Sequence, residues 1–542
     1  MLVTISARDL AFYAGCSHMP TEGKSKPDDL SSSRKPSSVD ASLVREPPRT
    51  LGATLLRLGP GMIIAGSIVG SGELIATTKA GAEAGFWLLW LIIFGCIIKV
   101  STQVELGRYT ITWTQTPLKA LDSIPGPRLK VNWVLWYWAV MTVIIISQQG
   151  GIIGGVGQTL AISRPLTDQG RQYNQLQDEL TSSQVELKVA QSRGAVKTEI
   201  EQLERKIAKM TADAAALDKP ADAYLWAAIL AIVTSVLLLV GRYGLIQLVA
   251  TVFVVAFTAV TIATLIMLQT KPQWAVTGGD LADGLSFRLP PASKEAGINP
   301  IGTALAAFGI IGVGASELIM YPYWCLEKGY AKFTGRRDGT ESWTNRARGW
   351  LKVLQFDAWF SMVVYTFATV AFYLLGAAVL GRTGLNPSGR EMVRTLAAMY
   401  VPVFGPWADR VFLSGAFAVL YSTFFVAAAG NARMVADSLG LFGITDGSER
   451  MKLLWTRIIS AIWPILALLL YIGFRAPAKM VLASGTAQAI MLPMLGAAAL
   501  YFRYRRSDEN LRPGRLWDAM LWISLAAFTV IGVWSIVKLV FK

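Results

Sequence analysis

Two glutamates lie where an apolar chain has little reason to put them. VGSGELI at residues 69–75 and VGASELI at 313–319 are nearly the same seven letters, and each sets a glutamate, Glu73 or Glu317, among glycines in a hydrophobic run. A carboxylate at bilayer depth is expensive. Glycines also weaken a helix whose backbone hydrogen bonds hydrocarbon cannot replace. Close packing through small residues accounts for Gly66 with Gly70, and for Gly309 or Gly312 near Gly314. It does not account for two glutamates at equivalent places. Snorkelling from a helix end is the ordinary alternative for such a side chain. If both instead face a shared cavity, their chemistry is to hold a cation or a proton, because facing carboxylates repel unless positive charge sits between them. Hard oxygen ligands of this kind suit Mg2+, Ca2+ or Mn2+.

The elements that must position them are membrane helices. Hydrophobic residues make up 53% of the 542 and charged ones 16%, against roughly a quarter charged in a soluble chain. Apolar blocks such as FWLLWLIIFGCIIKV and WAAILAIVTSVLLLV recur, and about twenty such residues cross a hydrocarbon core of about 30 Å. Eleven spans are predicted, near 52–81, 86–107, 132–163, 221–240, 243–268, 300–325, 353–381, 407–432, 453–473, 477–502 and 516–540. Basic residues gather in alternate connections: Arg108, Lys119, Arg128 and Lys130 after the second span, Lys328 to Lys352 after the sixth, Arg503 to Arg515 after the tenth. That bias puts those connections and the N-terminus in the cytoplasm, in a cell (inner or plasma) membrane. The net charge of +15 thus reads as topology and contact with anionic lipid, with no need for nucleic acid.

Glu73 falls in span 1 and Glu317 in span 6, the first members of two five-span halves. Five spans is an odd number, so the halves insert upside down relative to each other. Inverted repeats with helices interrupted at matching places mark the midplane site of a secondary transporter. The fold class expected is therefore an all-α membrane protein with broken helices 1 and 6.

Residues outside the spans read differently. Positions 1–50 are polar and rich in Ser, Pro and Lys, as in a disordered cytoplasmic tail. Spans 1–3 then occupy 51–164, a polar insert 165–219, and spans 4–11 residues 220–542. In the insert, Val196, Ile200, Leu203, Ile207, Met210, Ala214 and Leu217 step by four and three, a heptad seam. Tyr173, Leu176, Leu180 and Leu187 repeat the habit less strictly, with QSRGAV as the turn. The reading is an antiparallel coiled-coil hairpin with arms of about 35 Å at 1.5 Å per residue. It projects outside, where it could pair within itself, dock on the transport domain or bind a partner, with self-pairing as the default. Cys16, Cys96 and Cys325 imply no disulfide framework. Trp87, Trp90, Trp133, Trp136 and Trp138 fit interfacial belts, and Lys79 and Lys99 are expected to snorkel.

LGPGMIIAGSIVGSGELIATTKAGAEAGFWLLW resembles the opening of the Nramp family of proton-coupled divalent-metal transporters. With Pro60-Gly61 and Ala80-Gly81 aligned, Gly70, Ser71, Gly72 and Glu73 fall on that family's metal-binding Asp-Pro-Gly-Asn. In span 6, GIIGVGASELIMY is similar to the segment ending in Met-Pro-His, placing Ser316 at the metal-binding Met, Glu317 at the Pro and Leu318 at the His. Gln488 stands near a coordinating Gln. The resemblance implies a leucine-transporter-like fold of two inverted five-helix repeats plus one helix. Both metal motifs are replaced, however, and losing the thioether removes the preference for transition metals over Mg2+ and Ca2+. The single histidine, His18, lies in the tail. Proton coupling would therefore use Glu73, Glu317, Glu105 or Asp357.

Two functions follow from these residues. The first is a divalent-cation transporter whose oxygen-only site uses Glu73, Glu317, Ser316, Gln488 and carbonyls near Ser67, Gly70 and Val313. The second keeps the scaffold and carries a small organic solute, such as an amine or amino acid, with Glu73 pairing its ammonium. A non-transporting sensor acting through the coiled coil stands behind both. No Ser-His, Cys-His or His-metal arrangement can form in the membrane, so no enzyme and no cofactor are expected.

Overall fold

Eleven helices among the described residues are long and apolar enough to cross a membrane: Pro60–Ala84, Leu89–Trp113, Trp133–Ser163, Asp222–Leu239, Thr251–Leu268, Pro300–Lys328, Glu341–Gly381, Ala408–Leu441, Glu449–Phe474, Pro477–Arg506 and Arg515–Val540. They are spans 1 to 11 below. The computed structural model describes residues 43–192, 195–240, 243–291 and 298–541. Residues 1–42 of the expected tail, with Cys16 and His18, lie outside these, as do Arg193 and Gly194 of the expected hairpin turn. Besides helices, the described residues hold one two-stranded hairpin, Arg128–Leu129 against Val131–Asn132, in the connection between spans 2 and 3.

Burial sorts the spans into a centre and a shell. The most apolar 18 residues of spans 1 and 6 are fully buried, whereas those of spans 4, 5, 9 and 11 are only about a third buried. A helix that is apolar all round belongs either inside or against lipid. Here the shell helices turn side chains such as Ile232, Val236, Val252, Ile266, Leu469 and Val530 outward, and the stretches of spans 1 and 6 around the two glutamates touch only protein. Span 1 packs on spans 5, 6, 7 and 8, and span 10 packs on spans 3, 6 and 11. Where spans 6 and 10 cross, a Cβ on Gly309 would run into the Gly485 carbonyl, so only glycine permits that approach.

The two central helices interrupt their α winding by different means. In span 6, Asn299 caps the start by accepting the Gly302 N–H at 3.0 Å, Pro300 takes the first turn, and the helix stops at Ile310. Ile311 is extended (ψ 147°), Gly312 takes φ +56°, and a second helix runs from Ala315 to Lys328. Glycine suits φ +56° because it lacks the Cβ that crowds the backbone there. Span 1 is α-helical over Pro60–Ile68 and again over Thr78–Ala84, but Val69–Thr77 between them is π-helical. The chain widens there and keeps its hydrogen bonds, so the peptide groups expected to be freed by unwinding remain inside a helical ladder.

Span 7 begins at Glu341, well before the expected 353, because its first turns form a polar extension capped by Thr340. The insert forms two helices, Asp168–Ser192 and Lys197–Ala216, that pack on each other. Asp222 at the head of span 4 holds their base by accepting from Leu166 N–H at 2.5 Å, Thr167 N–H at 3.0 Å and the Thr167 hydroxyl at 2.7 Å. Tyr173 of the first arm donates to Glu391 at 2.8 Å, and Arg394 donates to Asn174 at 2.8 Å, tying the arm to the segment between spans 7 and 8. Trp138 is 2% exposed, so it packs in the core and is no part of an interfacial belt.

Candidate functional site

Glu73 sits in the π-helical part of span 1 and is fully buried. Its Oε1 accepts the Gly312 N–H at 3.1 Å, from the break in span 6, and the Thr369 hydroxyl of span 7 at 2.8 Å. The same hydroxyl lies 2.6 Å from the Tyr365 carbonyl and has one proton to share between the two acceptors. Oε2 of Glu73 is buried without a hydrogen-bond partner. Glu317, in the first turn of the second half of span 6, is 5% exposed. Its Oε2 likewise has no partner, and neither has the Ser316 hydroxyl. Snorkelling is ruled out for both glutamates by this burial. A buried polar atom left open is costly, and three such oxygens from two interrupted helices make a donor set that a cation would complete.

Gln488 of span 10 closes one side of the centre. Its Oε1 accepts the Ser316 N–H at 3.0 Å, and its Nε2 donates to Gln148 of span 3 at 3.0 Å. Gln148 in turn donates to Ser71 Oγ of span 1 at 3.1 Å and accepts from Ser484 Oγ at 2.7 Å. One buried network thus joins spans 1, 3, 6 and 10. Gly314 lies in its midst. A Cβ there would come 2.5 Å from Glu317 Oε2 and 2.7 Å from Gln488 Oε1, so the missing side chain leaves both oxygens room.

The other sequence candidates divide. Gly70 donates its N–H to the Thr423 hydroxyl of span 8 at 2.9 Å, and that hydroxyl donates to the Gly66 carbonyl at 3.0 Å. A Cβ on Gly70 would meet Thr423 Oγ1 at 2.6 Å, which explains the glycine by close helix approach. Ser67 spends its hydroxyl on the Ile64 carbonyl at 3.0 Å. Val313 is buried within the break.

The two carboxylates suggested for a proton path have other partners. Glu105 pairs with Arg108 at 3.1 Å and accepts from Trp517 and Ser507. Asp357 accepts the Gly59 N–H at 2.9 Å, the Gly61 N–H at 2.6 Å and the Tyr321 hydroxyl at 3.1 Å, capping the start of span 1. That placement is favourable because a carboxylate complements the positive end of a helix. Among the described residues, neither shares a hydrogen bond with Glu73 or Glu317.

Lys99 is the clearest departure from expectation. It does not snorkel: it is 0% exposed in span 2, and its ammonium donates to the Ile311 carbonyl at 2.7 Å and to the Phe308 carbonyl, with the Phe308 ring centroid 4.6 Å away. Those carbonyls end the first half of span 6, where a cation complements the negative end of the helix. Lys79 is also buried, against Glu83 at 2.8 Å, Asn386 and the Pro387 carbonyl. Sequence reasoning missed Gln148, Ser484, Thr369 and Thr423 as well. The pair Gln148-Gln149 inside VIIISQQGG was a usable signal; the two threonines gave none.

Among the described residues, no three His, Cys, Asp or Glu side chains cluster as a metal site. A cation here would rest on two carboxylates with hydroxyl, amide and carbonyl oxygens. Cys96 and Cys325 are free and buried.

Comparison with known proteins meets this geometry from outside. A search of curated proteins finds no match. Among solved structures, two mutant forms of the Eremococcus coleocola manganese transporter superpose with TM-score 0.57 at 15% identity, over 91% of this chain and 89% of theirs. The same transporter in complex with an aromatic bis-isothiourea substituted compound gives TM-score 0.55 over the same shares. The likeness places this chain in the leucine-transporter-like fold. The family model for natural resistance-associated macrophage protein-like (Nramp) proteins matches residues 196–538, more than half of the chain and a stretch that contains span 6 and Gln488 but not span 1. This multi-pass membrane protein therefore belongs to the Nramp family.

Proposed function

We propose that this chain is a secondary transporter that moves a divalent metal cation across the membrane through the centre between spans 1 and 6. One observation carries the reading: Glu73 Oε2, Glu317 Oε2 and Ser316 Oγ are buried without partners at the interruptions of the two helices. Glu73 would be the principal ligand, held in place by Gly312 and Thr369. Glu317, the Ser316 hydroxyl and the Gln488 amide oxygen would complete the shell. With oxygen donors only, hard cations are favoured. Solved structures similar in fold include those of a manganese transporter, so Mn2+ and Mg2+ are the first ions to test. Glu73 and Glu317 are the groups at the centre able to exchange a proton for the cation. The basic connections support a cytoplasmic N-terminus in the plasma or inner membrane, and the hairpin 165–219 would then project on the opposite side. Nothing in the geometry favours an organic solute.

The test is uptake into proteoliposomes loaded with a fluorescent indicator for Mn2+ or Mg2+. Wild type should fill the vesicles and Glu73→Gln should not. Equal signals from both would remove Glu73 from the mechanism.

A further inference from the structure

A cation site has no need of an ammonium group, yet one is built into this centre at some cost. Lys99 is stripped of water completely and is held by two backbone carbonyls and an aromatic face. The carbonyl it grips at 2.7 Å belongs to Ile311, and the N–H that Glu73 accepts at 3.1 Å belongs to Gly312. Carbonyl and N–H are the two ends of one peptide bond. Lys99 and Glu73 therefore pull on the same peptide unit from opposite sides, and they do so at the break of span 6. Glu73 and Glu317 both lie close enough to Lys99 to act on it electrostatically. Tyr365 of span 7 stands near Glu73 and Cys96. The centre thus has one ammonium set against two carboxylates.

We infer that Lys99 is a tethered counter-charge: it holds the peptide bond at the break of span 6 in place and offsets one of the two carboxylates, so that the cation binds loosely enough to be released and the emptied carrier can reorient. The inference rests on the cation reading of this centre. A permeation site must attract its ion and still let it go. Two carboxylates at mid-membrane with no compensation would do the first too well, because attraction scales with the product of the charges and is little screened away from water. Wherever protons have not replaced the cation, they would also leave an empty site with two bare negative charges to carry back through the low-dielectric core. Lys99 eases both steps. Because it acts through the peptide unit and through its field, it is a positioning and affinity-setting residue, with no direct contact to the substrate.

Charge and hydrogen bonding separate by substitution. Lys99→Gln keeps donors for the two carbonyls and drops the charge, Lys99→Arg keeps both, and Lys99→Met drops both. In Mn2+ uptake by proteoliposomes, Lys99→Gln should lower KM and kcat together, each at least about tenfold, with Lys99→Arg restoring the wild-type pattern. A role in folding alone would lower kcat without tightening KM. An unchanged or raised KM in Lys99→Gln overturns the inference. So does failure of both Gln and Met variants to fold when Arg folds, since Lys99 would then be structural. The cation reading fails separately: if wild type takes up neither Mn2+ nor Mg2+, or Glu73→Gln matches wild type, both readings fall.

Discussion

Glu73 uses one carboxylate oxygen and leaves the other open. This division between holding and binding sets what single substitutions should do. Glu73→Gln keeps the shape and removes the charge. It should weaken divalent-cation affinity by about 1.5–3 kcal/mol, roughly 10- to 150-fold, read by titration calorimetry. Gly314→Ala tests the opposite quantity, room. Its φ of −68° suits alanine, so the backbone is not strained and the cost falls on the packing around it. The added methyl would displace the Glu317 and Gln488 oxygens, costing affinity by about 1–3 kcal/mol. A variant that melts early but binds normally would contradict this. The glutamates themselves stood out in the sequence, because close packing of small residues does not explain two carboxylates at equivalent places in repeated apolar runs. Their partners did not: Thr369, Gln148 and Lys99 reach the centre across spans, and only tertiary packing decides which face of a helix meets which neighbour.

At the scale of elements, the repeated heptapeptide marked the right places and understated the difference between them. Span 6 breaks at Ile311–Gly314, and span 1 widens over Val69–Thr77 with its ladder intact. The letters are nearly the same, but the neighbours differ. Gly312 is pulled open by Glu73 on one side of its peptide and Lys99 on the other. Gly70 is pinned by Thr423 against span 8 instead. Gly312→Ala should therefore be the costlier change at the break. At φ +56° an L-residue costs about 1–2 kcal/mol, and its Cβ would stand 3.1 Å from Cys96 Cα. A lowered melting temperature in detergent, with uptake lost as the Gly312 N–H swings off Glu73, is the expected outcome. Span boundaries followed hydropathy where helices end at the membrane. They failed where a helix continues into water, as span 7 does from Glu341, since composition alone cannot see a polar extension.

For the whole molecule, eleven spans and their alternation of basic connections were legible from composition. Docking of the insert stood among its alternatives, but its anchors were not legible, because Asp222, Tyr173 and Arg394 act at its base over long sequence separations. Sidedness is open to a direct check. In a Cys16→Ser background, a membrane-impermeant maleimide should label Lys209→Cys on intact cells and Arg505→Cys only after permeabilisation. Labelling of both from outside would reverse the topology. The enclosure of spans 1 and 6 by their neighbours has a consequence for how the bilayer acts on this protein. Hydrophobic mismatch is felt by surfaces in contact with acyl chains, and those belong mainly to spans 4, 5, 9 and 11, with parts of spans 3 and 7. Reconstitution into thinner or thicker lipid should therefore alter thermal stability and the rate of reorientation while leaving equilibrium cation affinity nearly constant, since protein encloses the stretches of spans 1 and 6 proposed to bind the ion.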